Sequence, residues 1–176
     1  PLSSIALPLS VGYSSQCEIL EFGLLEGADP EEVPPAAHRR HAGGIIIHQC
    51  YPAQRKLKEL TYLNYIMNFE YSEGRPQESE PAMQELLRRD SLVIRKKSNK
   101  AKAGYTEVDL IPLIQRFNLE CQSDTLTLDA VVRAQNPGLN PELIRAAFCR
   151  EYPDLAPDFV TFHRREVLDG DGKVFR

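Results

Sequence analysis

Leu63, Tyr65, Met67, Phe69 and Tyr71 fall on alternate positions of the chain, with Asn64, Asn68 and Glu70 standing between them. Successive side chains of a β-strand point to opposite faces, so an unbroken period of two puts these five residues on one buried face. Wound as a helix, the same residues would scatter around the axis. The chain must therefore hold a sheet with one apolar face, and another layer must cover that face.

Further strands are predicted from the same period and from β-branched runs: Ser4 to Val11 and Cys17 to Glu26 as an antiparallel pair, Ile45 to Ile47, Leu92 to Lys97, Thr106 to Ile111, Phe117 to Cys121, and Asp158 to Leu168. Asp169-Gly170-Asp171-Gly172 closes the last strand as a turn. Asp29-Pro30-Glu31-Glu32 has the form of a helix start, a cap followed by proline and two acids, cut short by Pro34-Pro35 before His41. Ser72 to Glu78 reads as a loop, and Pro81 opens a helix with Met83, Leu86 and Leu87 on one face. Leu128, Val131 and Val132 share a helical face up to Gln135, and Asn136-Pro137-Gly138 stops that helix. Asn140 and Pro141 then cap and open another, with Leu143, Ile144, Ala147 and Phe148 inward.

Strands interrupted by single amphipathic helices, rather than strict alternation, predict an α+β fold: an antiparallel sheet with helices on one face. The expected arrangement is one domain over residues 1–176, built as two ferredoxin-like halves, 1–60 and 61–127. A C-terminal helical extension over 128–176 carries the helical hairpin. A chain of 176 residues is long enough for one ordinary core.

The formal net charge is -4, so the molecule as a whole does not attract nucleic acid or anionic lipid, and any such contact must come from local clustering. No apolar stretch is long enough to span a bilayer, and PLSSIALPLSVG lacks the positive flank of a secretory signal. The four cysteines, Cys17, Cys50, Cys121 and Cys149, show no close pairing, which fits a reducing compartment. The expectation is a soluble, cytoplasmic protein. The absence of an initiator methionine before Pro1 fits either its removal or a start inside a longer chain.

Several chemistries lose support. His38, His41, His48 and Cys50 are the only cluster of metal-type ligands, and they lack the second close pair that a structural zinc site wants. The cysteines cannot supply the three closely spaced thiolates of a radical S-adenosylmethionine cluster. Asp169 to Gly172 resembles the start of a calcium loop, but the chain ends before the bidentate glutamate of such a loop. Neither a phosphate-cradling G-x-x-x-x-G-K-S/T nor a G-x-S-x-G elbow occurs. A helix-turn-helix formed by Leu128 to Gln135 and Pro141 to Arg150 would offer Arg145 and Arg150 to DNA, yet the chain is acidic and strand-rich. No catalytic residue, metal or cofactor is assigned.

One feature is left. Arg95, Lys96, Lys97, Lys100 and Lys102 stand within eight residues, and Tyr105 follows them. Such a loop between two strands can neutralise several phosphates while the aromatic ring stacks a base. The bland alternative is a solvated hairpin that binds nothing. A different class of function, an RNA-modifying or other enzyme, would draw on scattered acids such as Glu107 and Asp109, which alternation puts on one face of a strand.

The stretches Ser4-Ile5-Ala6-Leu7-Pro8-Leu9-Ser10-Val11-Gly12, Cys17-Glu18-Ile19-Leu20 and Glu107-Val108-Asp109-Leu110-Ile111-Pro112 resemble a bacterial family of unknown function, encoded beside or fused to a radical S-adenosylmethionine protein. Members of that family carry, ahead of the stretch that opens this sequence, a basic segment containing serine and histidine, which is missing here. Pro34-Pro35 and His38 to His41 also replace a regular amphipathic helix. The resemblance implies an accessory partner of a radical enzyme and carries over no catalytic residue. The expected function is a binding module that helps such an enzyme hold its substrate or partner, RNA or protein, through the basic hairpin.

Overall fold

The computed structural model describes residues 3–34, 47–72, 76–97 and 104–176, with the backbone alone at 96 and 97. The chain forms two compact units, one of Pro1–Pro8 with Glu18–Leu57 and a larger one of Leu9–Cys17 with Lys58–Arg176.

In the smaller unit β1 (Ser3–Ile5) pairs antiparallel with β3 (Leu20–Phe22), Ser4 opposite Glu21. This is the predicted pair in shortened form. Leu7 takes a left-handed backbone at φ 53 just ahead of Pro8, and neither conformation extends a ladder. Asp29 caps a single turn of 3-10 helix at Pro30–Glu32, its carboxylate accepting from the Glu31 N–H at 2.9 Å. The continuation towards His41 and most of the Ile45 to Ile47 run lie outside the described residues.

The larger unit comprises β2 (Ser14–Ser15), β4 (Tyr62–Glu70), α1 (Pro76–Leu87), β5 (Val93–Lys97), β6 (Tyr105–Asp109), β7 (Ile114–Gln122), β8 (Thr125–Arg133), α2 (Glu142–Glu151) and β9 (Phe159–Leu168). Five of these strands form a sheet in the order β2-β9-β4-β8-β7, and β5 and β6 pair separately. β2 joins β9 in parallel, Ser14 opposite His163, and the other neighbours are antiparallel. β4 is the middle strand. Its apolar residues meet those of β8 in register, Leu63 with Val132, Tyr65 with Ala130, Met67 with Leu128 and Phe69 with Leu126. All eight are buried.

The helices cover this face. Met83, Leu86 and Leu87 of α1 and Ile144, Ala147 and Phe148 of α2 are buried, and Phe148 meets Phe69 edge to face at 6.1 Å between ring centroids. Burying each of these phenylalanines stabilises the fold by about 1.5–3 kcal/mol. The α+β class with helices on one face therefore stands. No helix among the described residues is long and apolar enough to cross a membrane.

Two expectations are corrected. The C-terminal helical hairpin does not form, because its first member is the strand β8; residues 127 and 128 are neighbours inside that strand. Leu126, Leu128, Ala130 and Val132 keep a period of two, and Ser123-Asp124 turns β7 back into β8 with Gln122 opposite Thr125. The loop expected over 72–78 is shorter, since α1 starts at Pro76 and Pro81 lies inside it. Pro76 gives the same first-position signal as Pro81 and does so earlier; Pro81, which has no N–H, donates no bond back to the first turn.

Candidate functional site

The basic run begins on β5 and is carried by its pairing with β6. Ile94 lies opposite Val108 on the inward side of this ribbon, where Ile94 is buried, while Arg95 lies opposite Glu107, Lys96 opposite Thr106 and Lys97 opposite Tyr105. Arg95 Nε bonds Glu107 Oε1 at 3.1 Å, with the two side chains 76% and 61% exposed. A pair this open is worth at most about 1 kcal/mol, so it orients Arg95 without removing its charge from solvent. Tyr105 is 54% exposed. Gly104, just before it, has φ 73, a conformation that favours glycine. Lys100 and Lys102 lie outside the described residues.

The base of the ribbon is held firmly. Leu110 N–H donates to the Leu92 carbonyl at 3.0 Å, and Asp109 Oδ1 accepts from Leu92 N–H at 2.9 Å and Ile111 N–H at 3.2 Å. The Leu92 bond above all, with help from Ser91 and Ile111, holds the Asp109 carboxyl below the usual carboxylate range. From α2, Arg150 Nη1 donates to the Val93 carbonyl at 2.9 Å, and its Nε donates to Glu151 Oε1, also at 2.9 Å. Glu151 in turn bonds Arg89 at 2.7 Å, and Arg89 bonds Glu85, which also meets the Tyr152 hydroxyl. Hydrogen bonds from Arg89 and Arg150 hold the Glu151 carboxyl low, and those from Tyr152 and Arg89 do the same for Glu85. A chain of charges thus ties both helices to the start of β5.

This geometry bears on the other candidates. Glu107 is bound to Arg95 and Asp109 to backbone N–H groups, so the two acids have separate structural partners rather than a shared reacting centre. With β8 a strand, the helix-turn-helix reading falls. Arg145 is engaged by Glu142, its Nε donating at 2.7 Å, and Arg150 by Val93. His38 and His41 lie outside the described residues, His48 is exposed and Cys50 half-buried, and no group of three metal-type ligands occurs among the described residues. At the end of β9, Asp169 Oδ1 accepts from the Asp171 and Lys173 N–H groups at 3.0 and 2.9 Å, and Leu168 bridges to Val174, which makes this segment a turn.

Residues 1–141 match the profile of a family described as uncharacterized protein conserved in bacteria (DUF2344). The chain belongs to that family. No curated protein and no solved structure matches it. The matched segment contains the whole β5–β6 ribbon, while α2 and β9 follow it.

In this family member the second face of the sheet holds a network that the sequence reading did not assemble. Asn64 is 2% exposed; its Nδ2 donates to Asp129 Oδ1 at 2.6 Å and its Oδ1 accepts from Arg165 Nε at 2.7 Å. Arg165 Nη2 bonds Asp129 Oδ2 at 2.8 Å. One row further along, Thr127 donates to Asn68, and Asn68 donates to Thr161. Alternation marks Asn64 and Asn68 as facing away from the core, but their partners sit on strands distant in sequence, so only the register reveals the set.

Proposed function

We propose that this chain is an accessory binding module of a radical S-adenosylmethionine system and that it contacts RNA through the β5–β6 ribbon. The observation that carries this reading is the register opposing Lys97 to an exposed Tyr105, inside a run of five cations on a chain whose net charge is -4. Cations that follow a phosphate backbone beside an open aromatic face are what single-stranded nucleic acid requires. Support for the partner comes from the resemblance over Ser4 to Gly12, Cys17 to Leu20 and Glu107 to Pro112. The spacing of the cysteines leaves the iron–sulfur cluster to that partner.

Retention on immobilised single-stranded RNA at low salt tests the contact. The chain is expected to be retained, and neutralising Arg95, Lys96, Lys97, Lys100 and Lys102 to alanine is expected to abolish retention without lowering the melting temperature. Unchanged retention of that variant would sink the reading. For the partner, coexpression with a radical S-adenosylmethionine protein encoded beside it should give co-elution through size exclusion; separate elution counts against the partnership.

A further inference from the structure

β7 is the last strand of its sheet, so among the described residues no strand pairs with its outer edge. In an antiparallel ladder every second residue turns its N–H and C=O outward, and an edge strand leaves these groups open to another chain. β7 carries one irregularity, between Ile114 and Arg116; from Arg116 to Gln122 its register with β8 is regular, so that stretch can accept a further strand.

A groove of about 370 Å³ runs beside this edge, between the last turns of α1 and the first half of β7. Its apolar wall includes Leu87, Phe117 and Leu119. Phe117 and Leu119 are half-buried, whereas their register partners Ala130 and Leu128 on β8 are buried. The apolar layer is therefore incompletely covered at this edge. Arg88 and Arg116 flank the groove; neither pairs with a carboxylate among the described residues, and the Arg88 Nε donates to the Gln84 side-chain oxygen at 2.7 Å. The other polar groups lining it, on Gln84, Gln115 and Asn118, are uncharged. The site thus combines an open backbone edge, half-covered apolar side chains and two arginines that pair with no carboxylate among the described residues.

We infer that the α1–β7 groove binds an extended, acidic segment of a partner protein, which adds to the sheet as a strand beside β7. Main-chain hydrogen bonds supply affinity, alternate apolar side chains enter the groove against Leu87 and Phe117, and the intervening carboxylates, on the opposite face, meet Arg116, while Arg88 adds positive charge at the groove's rim. This surface is distinct from the β5–β6 ribbon and does not depend on RNA binding there.

The test uses fluorescence anisotropy of the full chain with a labelled eight-residue peptide of alternating valine and glutamate. Two control peptides accompany it, one with lysine in place of glutamate and one with backbone N-methyl groups that block strand addition. Saturable binding of the glutamate peptide alone is expected, weakened at least tenfold by Arg88→Gln with Arg116→Gln and unchanged by neutralising the ribbon. Circular dichroism confirms that each variant is folded. Absence of saturable binding, equal binding of either control, or loss in the ribbon variant instead of the groove variant would overturn the inference.

Discussion

Asp109 shows at the residue scale how the ribbon is fixed. Its carboxylate joins the N–H groups of Leu92 and Ile111, one on each side of the strand pair, so a single oxygen closes the base of β5–β6. Asp109→Ala is expected to destabilise the protein by about 1–2 kcal/mol, as loss of a capping carboxylate does, read as a lower urea midpoint. Asp109→Asn keeps an accepting oxygen and should cost less. Because the folded state lowers this pKa, the ionised carboxylate's stabilisation is complete above the ordinary aspartate value near pH 4 and is lost as pH falls through the folded value. The gap in stability between the wild type and Asp109→Asn should therefore be constant at neutral pH and shrink in acid. A gap that instead grows below pH 4 would contradict the assignment. This role was not legible in the sequence, where Asp109 stood only as half of an acidic pair with Glu107; its partners are backbone groups, which no side-chain pattern reveals.

At the scale of elements, β4 and α2 could be read directly because one period describes each of them. β8 could not. Its Leu128, Val131 and Val132 satisfy a helical spacing, and its Leu126, Leu128, Ala130 and Val132 satisfy a strand spacing equally well. What decides is the turn at Ser123-Asp124, which has no glycine to announce it; Ser123 itself takes φ 50. Glycines divide in the same way. A Cβ on Gly138 would lie 2.4 Å from the Ala134 carbonyl oxygen and 2.9 Å from its carbon, and backbone cannot swing aside, whereas one on Gly23 meets nothing within 4 Å. Gly138→Ala should cost about 1–3 kcal/mol, as overpacking does, and Gly23→Ala should stay within about 0.5 kcal/mol of the wild type. Thermal melts of the two variants check this, and equal melting temperatures would count against the packing described around Gly138.

Across the whole molecule, an acidic protein carries a compact cationic run, and the fold mounts the start of that run, Arg95 to Lys97, on a ribbon tied to both helices through Arg150, Glu151 and Arg89. The run was legible because its charges and its flanking strands are local in sequence. The groove beside β7 was not, because it needs α1 and an edge strand about 30 residues further on to come together. Under the proposed RNA contact, with Arg95 paired to Glu107, the run supplies four further lysines, Lys96, Lys97, Lys100 and Lys102, one for each of four phosphates. Each phosphate neutralised on a single strand contributes about -0.7 to the slope of log affinity against log salt. The most direct test is therefore a titration of the intact chain with single-stranded RNA across a range of salt concentrations. The wild type should give a slope of about -3 and the variant neutralised at all five positions no measurable binding at low salt; binding by that variant with the wild-type slope, or no binding by the wild type at low salt, would contradict the account.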